Sequence, residues 1–159
     1  GHVSLADPVC LATAEVLSSA AHNVNAMVHD GGTYVCIEGP QFSTRAESNV
    51  YRQWDVDVIG MTNATEAKLA REASICYATL GLVTDYDCWK EDEKPVTVEA
   101  VLAIMHKNVE TAQKILKKLA SEFKGKRSCD CGSAAKNSVV TDPKSIPDQL
   151  KDELSILFG

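Results

Sequence analysis

The sequence has no long hydrophobic run. No apolar stretch approaches the roughly 20 residues that a helix needs to cross a bilayer, so nothing in it reads as a membrane-spanning helix. It opens Gly1-His2-Val3-Ser4-Leu5, without methionine, and no basic cluster or apolar leader core follows. That opening reads as a cut made inside a domain, because a short apolar piece leads at once into a helical pattern. Basic charge is also short. The net charge is −6, which argues against a nucleic-acid surface. Internal repeats and low-complexity segments are absent. Cysteine is present six times in 159 residues, too few for a small disulfide scaffold. Cys36 and Cys76 fall inside apolar runs and read as buried thiols. A composition of 45% hydrophobic and 24% charged residues is that of a soluble globular protein. The length fits one domain with a real core.

Elements alternate along the chain. Asp7-Pro8 reads as a helix start, an N-cap acid before a first-turn proline, with Leu11, Ala14, Leu17 and Ala20 at helical spacing. Gly31-Gly32 marks a turn, and residues 33–37 form a strand rich in β-branched side chains. Glu38-Gly39-Pro40-Gln41-Phe42-Ser43 is a loop. Thr44 and Glu47 then have the spacing of a capping box opening a second helix. Residues 56–61 read as a second strand and 64–72 as a helix, with Asn63 and Glu66 as its capping signal. Residues 75–83 are an apolar run that predicts a third, buried strand. Such alternation implies parallel pairing and a layered α/β sheet. A charged loop at 90–94 and Pro95 precede a long helix capped by Thr97. Its apolar face is built from Val98, Val101, Leu102, Met105, Val109, Ala112, Leu116 and Leu119. Residues 125–144 are polar and read as a linker or surface loop, and 147–158 as a last short helix.

The chemistry converges on strand ends. Thr84-Asp85-Tyr86-Asp87-Cys88-Trp89 closes the third strand, and in an extended backbone Asp85 and Asp87 share one face. Paired carboxylates there serve as acid, base or base-edge reader when crowding and desolvation raise one pKa. The alternative is a polar turn that caps the strand. Residues 38–43, Met61-Thr62 and 84–87 each follow a strand. In a parallel sheet those ends share one edge, where ligands collect beside helix N-termini.

Glu-Gly-Pro-Gln-Phe-Ser at 38–43, Ile-Gly-Met-Thr at 59–62 and Val-Thr-Asp-Tyr-Asp-Cys-Trp at 83–89 resemble, in order and spacing, the signature segments of the 5′-methylthioadenosine phosphorylases. These are the trimeric branch of the purine nucleoside phosphorylase family. Similarity runs from His2 to about Leu119, with a fainter match at 155–157. The resemblance implies an α/β/α three-layer fold with a mixed central sheet. It also implies a cytoplasmic, homotrimeric pentosyltransferase of methionine and purine salvage. The reaction would convert methylthioadenosine and phosphate to adenine and 5-methylthioribose 1-phosphate, with phosphate as co-substrate and no cofactor or metal.

Residue by residue, the resemblance makes Asp85 the acid that protonates purine N7 as the glycosidic bond breaks. Asp87 accepts the 6-amino group or positions Asp85. Relatives acting on 6-oxopurines carry Asn at the position of Asp85 and Glu at that of Ser43, so both residues here favour adenine. Phe42 resembles the aromatic wall against the base, Met61 the residue packing on the ribose, and Thr62 a phosphate ligand. His2, Val98 and Leu102 resemble the lining of the 5′-methylthio pocket, with Leu157 completing a neighbouring subunit's pocket. Taken alone, Phe42, Met61, Val98 and Leu102 would pass for core residues, Thr62 for a helix cap and His2 for a frayed terminus.

The sequence also departs from the pattern. The N-terminal half of the family's domain, with its glycine-containing phosphate loop, is absent. The chain therefore reads as a C-terminal portion (residues 1–124), a surface loop or linker (125–144) and the C-terminal helix of the same domain (145–159). A second chain supplying the missing half is one expectation, and an inactive nucleoside-binding fragment is the rival. A phosphorylase of 6-oxopurine nucleosides or 5′-methylthioinosine is the other rival, against which Asp85 and Ser43 argue. Asn63-Ala64-Thr65 replaces a Val-Pro segment of some members without supplying chemistry. Cys129-Asp130-Cys131 is similar to a Cys-x-Cys of some thermophilic members. A bridge within it would be strained and redox-labile. Two ligands without companions make a poor zinc site, so the expectation is a pair of surface thiols. A Cys10–Cys76 bridge stays open for a hyperthermophilic source.

Overall fold

The computed structural model describes residues 1–90 and 97–158. From residue 91 on, the charged loop and Pro95 lie outside the described residues. The chain divides into two compact units.

The first unit comprises Val16–Asn63 and Leu80–Phe123. Helix α1 (Leu11–Asn23) enters it and buries Leu17, Ala20 and Ala21. The helix begins later than Asp7-Pro8 predicts. The backbone N–H of Cys10 donates to the Tyr77 carbonyl at 2.8 Å, while the Cys10 carbonyl accepts from Ala14 at 2.9 Å. Cys10, not Asp7, is therefore the last residue before the helical turn. Strands β1 (Tyr34–Cys36) and β2 (Val58–Gly60) pair in parallel, Tyr34 opposite Val58 and Cys36 opposite Gly60. A Cβ on Gly60 would collide with the Tyr34 hydroxyl as it stands, so any larger residue there requires the Tyr34 ring to move. Between the strands runs α2 (Arg45–Gln53), opened by the expected capping box. The Thr44 hydroxyl accepts from the Glu47 N–H at 3.3 Å, and the Glu47 carboxylate accepts from the Thr44 N–H at 2.7 Å. Two orphan donors are satisfied reciprocally. Helix α3 (Asn63–Glu72) follows β2 directly.

The predicted third strand is not found. Residues 75–83 enter no β-ladder among the described residues, and Ile75, Leu82 and Val83 are exposed. A strand exists only beside a neighbour about 4.8 Å away that presents matching N–H and C=O groups. The Ile75 N–H donates to the Ala70 carbonyl and the Tyr77 carbonyl accepts from Cys10 N–H, each at 2.8 Å, while the Val83 carbonyl accepts from the Asn108 side chain at 2.8 Å, and none of these bonds belongs to a ladder. The mixed sheet expected from the resemblance thus reduces, among the described residues, to one parallel pair. The long helix α4 (Val98–Glu122) is capped as predicted, the Thr97 hydroxyl accepting from Ala100 N–H at 3.2 Å. Of its apolar stripe, Ala112 is buried together with the adjoining Ile115, whereas Leu102, Met105, Val109 and Leu116 are exposed.

The second unit comprises Gly1–Glu15, Ala64–Thr79 and Lys124–Gly159. Residues 125–144, read as a linker or surface loop, carry the 3-10 turns Asp130–Ser133 and Lys136–Ser138 and the start of a third, Pro143–Ser145. Cys131 and Ser138 on them, and Ala135 between the first two, are buried. The Ala135 N–H donates to Ser74 Oγ at 3.0 Å and Arg127 Nη1 to the Ser74 carbonyl at 3.1 Å. The terminal helix breaks at Leu154 into α5 (Asp148–Glu153) and α6 (Ser155–Phe158).

Candidate active site

The C-terminal end of β1 opens into a concavity of about 330 Å³. Strand β1 and the 38–43 loop form one side, and α2 supplies Glu47 and Tyr51, one helical turn apart and hence on one face. Phe42 and Ser43 both line it. Phe42 stands 84% exposed, so its ring is available to a ligand and takes no part in the core. Ser43 Oγ is buried without a hydrogen-bond partner. Such a group costs about 1–3 kcal/mol until something pairs with it. Gly39, at φ +70°, brings the loop against Met61 from the end of β2. A Cβ at Gly39 would lie 2.6 Å from Met61 Sδ. Two of the three strand-end stretches therefore meet.

The third stretch reaches the same loop through Cys88, whose thiol donates to the Ser43 carbonyl at 3.6 Å. The Arg52 guanidinium of α2 lies 3.8 Å from the centre of the Trp89 ring, and Tyr86 meets Trp89 edge-on at 5.8 Å. Asp87 is half-buried and accepts the Cys88 N–H at 2.8 Å. Asp85 accepts from the Thr84 hydroxyl at 2.7 Å but is exposed and does not line the concavity. The buried carboxyl expected at the end of a buried strand is therefore absent, because residues 75–83 form no paired strand to bury it. Thr62 is exposed directly before α3. Leu102, on α4, is 48% exposed and outside the concavity. Val98 opens the same helix. His2 belongs to the other unit, where its N–H donates to the Ser138 carbonyl at 2.8 Å.

Electrostatically, the Thr44 backbone N–H and then its hydroxyl hold the Glu47 carboxyl below the usual carboxylate range. Glu47 thus presents negative charge at the rim, next to a helix N-terminus. Glu47 and Tyr51 were not singled out as ligand-facing from the sequence. The signal was present in their i, i+4 spacing after a capping box, but the same spacing serves any exposed helix face.

The unit carrying His2 holds a second constellation that the sequence did not reveal. The sulfurs of Cys10, Cys76, Cys129 and Cys131 all lie within 4.8 Å of one another. All six cysteines are free, so neither the Cys129–Cys131 nor the Cys10–Cys76 bridge is formed. The Cys-x-Cys is also no pair of isolated surface thiols, since Cys131 is buried and both cysteines have companions. Burial opposes ionisation at Cys10, but hydrogen bonds from Thr13, Cys129 and Cys131 bring it down to about 6. Burial, then Cys129 and Cys10, pushes Cys131 up to about 12. Sulfurs this close cannot all carry charge.

A parallel strand pair with a ligand-sized hollow at the strand tips is the arrangement of a ligand-binding α/β scaffold. Residues 1–121 match the model of the phosphorylase superfamily, and the chain belongs to that family. Among its relatives, the S-methyl-5′-thioadenosine phosphorylase of Geobacter sulfurreducens is 49% identical over 158 residues, covering 99% of this chain and 55% of that protein. The enzyme of the same name from Pyrococcus horikoshii is 48% identical over 139 residues, covering 87% and 53%. Among solved structures, a methylthioadenosine phosphorylase from an Antarctic soil metagenomic library superposes with a TM-score of 0.90 at 44% identity, covering 99% of this chain and 56% of that one. A double mutant of adenosine/methylthioadenosine phosphorylase from Schistosoma mansoni, in complex with adenine, gives 0.76 at 34% identity, covering 86% and 54%. The chain has the phosphorylase fold, and it spans about half the length of the curated relatives it matches.

Proposed function

We propose that this chain is the base- and methylthio-binding part of a 5′-methylthioadenosine phosphorylase. The observation that carries the reading is the meeting of two signature stretches, with Phe42 and Ser43 on one hollow and Met61 packed against its loop. The near-half identity to enzymes of that name supports the same reading.

In the proposed reaction a phosphate oxygen bonds to C1′ of the ribose while the C1′–N9 bond breaks. The electron pair left on the purine takes a proton at N7, so adenine departs neutral. Asp85 supplies that proton, and Asp87 accepts the 6-amino group or positions Asp85. Phe42 stacks on the base and Met61 packs on the sugar. Ser43, in place of a carboxylate, leaves the adenine N1 edge without a group suited to a 6-oxopurine. Thr62, at the head of α3, holds phosphate, where a hydroxyl and a helix N-terminus act together. Val98 and Leu102 accept the S-methyl group. Leu157 serves a neighbouring subunit of a cytoplasmic homotrimer.

Exposure of Asp85 and the coverage of half a relative's length favour a second reading for the chain by itself: it binds nucleoside but does not turn it over. Adenine release from methylthioadenosine, with and without phosphate, tests both readings. The chain alone and a protein of the relatives' full length that carries it are to be compared. Phosphate-dependent release from the longer protein supports the proposal. Release that ignores phosphate, or a preference for 6-oxopurine nucleosides, contradicts it.

A further inference from the structure

The unit made of Gly1–Glu15, Ala64–Thr79 and Lys124–Gly159 has little apolar interior of its own. Its buried apolar residues, among those described, are Cys10, Ala67, Cys131 and Ala135. None is a large hydrocarbon, and two are cysteines of the four-sulfur cluster. Units that cannot bury enough hydrocarbon are stabilised by staples, of which a structural metal is one. We propose that Cys10, Cys76, Cys129 and Cys131 form a tetrahedral site for a single zinc ion.

The four sulfurs are close enough together for one ion to reach all of them. Zinc–sulfur bonds of about 2.3 Å place the corners of a tetrahedron about 3.8 Å apart. Here Cys76 and Cys129 Sγ are 3.4 Å apart, and no pair in the cluster exceeds 4.8 Å. Small side-chain rotations bring the four onto the tetrahedron. A disulfide needs sulfurs about 2.0 Å apart, and none is formed. A cluster of several irons would hold its cysteines further apart than a single ion does. Four soft thiolates in tetrahedral array select zinc over hard, oxygen-seeking cations. With every position taken by protein the site is closed, which assigns it a structural and not a catalytic role.

The surroundings fit the charge. Four thiolates around a divalent ion leave an excess of negative charge, and the Arg71 guanidinium lies 3.8 Å from Cys131 Sγ. The Thr13 hydroxyl donates to Cys10 Sγ at 3.4 Å. Outer donors of this kind orient ligands and temper their charge. Arg71 also donates to the Asp7 carbonyl, and Cys10 N–H to the Tyr77 carbonyl at 2.8 Å. The ligand-bearing stretches around residues 10 and 76 are thereby held in register. The ion would fasten the turn at 129–131 to both, closing loops far apart in sequence.

The test uses the full chain, purified under reducing conditions from zinc-supplemented cells. Elemental analysis is expected to find one zinc per chain, and none in a Cys10→Ser/Cys131→Ser variant. Because loss of zinc in that variant could also follow from loss of its fold, cobalt(II) is titrated into the reduced, metal-free native chain as well. Intense visible bands of a tetrahedral cobalt thiolate, saturating at one equivalent and erased by zinc, are expected. Absence of those bands overturns the proposal, as does zinc content that the double variant does not change. A chain isolated with the four cysteines in two disulfides, and taking up no cobalt once reduced, overturns it as well.

Discussion

A carboxyl group works as an acid near neutral pH only where something holds its proton on. In this chain Asp85 is exposed, with the Thr84 hydroxyl as its hydrogen-bond donor; the proposed acid role would therefore require bound purine or further protein to cover it. In the full-length enzyme, Asp85→Ala is expected to lower kcat by about 10²–10⁴-fold, the usual contribution of a positioned acid, with a smaller change in KM. Steady-state kinetics with methylthioadenosine check this, and near-native turnover would remove Asp85 from the role. Asp85→Asn turns an acceptor into a group with both donor and acceptor. Its ratio of kcat/KM for methylthioinosine over methylthioadenosine is expected to rise. Arg52 tests the scaffold in a different way. Its guanidinium over Trp89 ties α2 to the stretch bearing both aspartates. Arg52→Ala is expected to cost about 0.5–1 kcal/mol of stability, read as a lower urea midpoint, and to raise KM for the nucleoside.

Helix α2 owes its start to four atoms. Thr44→Ala removes the hydroxyl half of the capping box and is expected to cost about 1 kcal/mol in urea unfolding. The other half depends on pH. The folded-state pKa of Glu47 lies below its ordinary value of 4.5, through the Thr44 N–H first and its hydroxyl second. The contribution is therefore present above the unfolded value and is lost as pH falls through the folded one. The gap in midpoint between native and Glu47→Ala chains is expected to narrow as pH falls below 4.5 and to stay constant above it. A gap that widened in acid would contradict the assignment. This helix and α4 were legible in the sequence because a cap is a local device: Thr44 with Glu47, and Thr97 with the N–H of Ala100, lie within one turn. Residues 75–83 misled for the opposite reason. Apolar composition signals a strand, but the strand exists only if another backbone lies alongside. The same holds for the site. Phe42, Ser43 and Met61 could be placed together from strand order, whereas the burial of Asp85 depends on partners the local pattern does not name. The four cysteines escaped because Cys76 and Cys129, whose sulfurs are 3.4 Å apart, are 53 residues apart in sequence.

The chain spans about half of its curated relatives, and its surface shows where more protein could be accommodated. Leu102, Met105 and Leu116 on α4, with Val83, expose apolar area that a layered α/β/α fold would cover. Under the proposed function, adenine and the methylthio group would bind this chain, and most of the phosphate site would come from outside it. One measurement bears on this most directly: adenine released from methylthioadenosine by the full-length protein, followed with and without phosphate, for the native sequence and for Asp85→Ala. Release that requires phosphate and collapses in the variant is the predicted result. Release independent of phosphate, or undiminished without the Asp85 carboxyl, would contradict it.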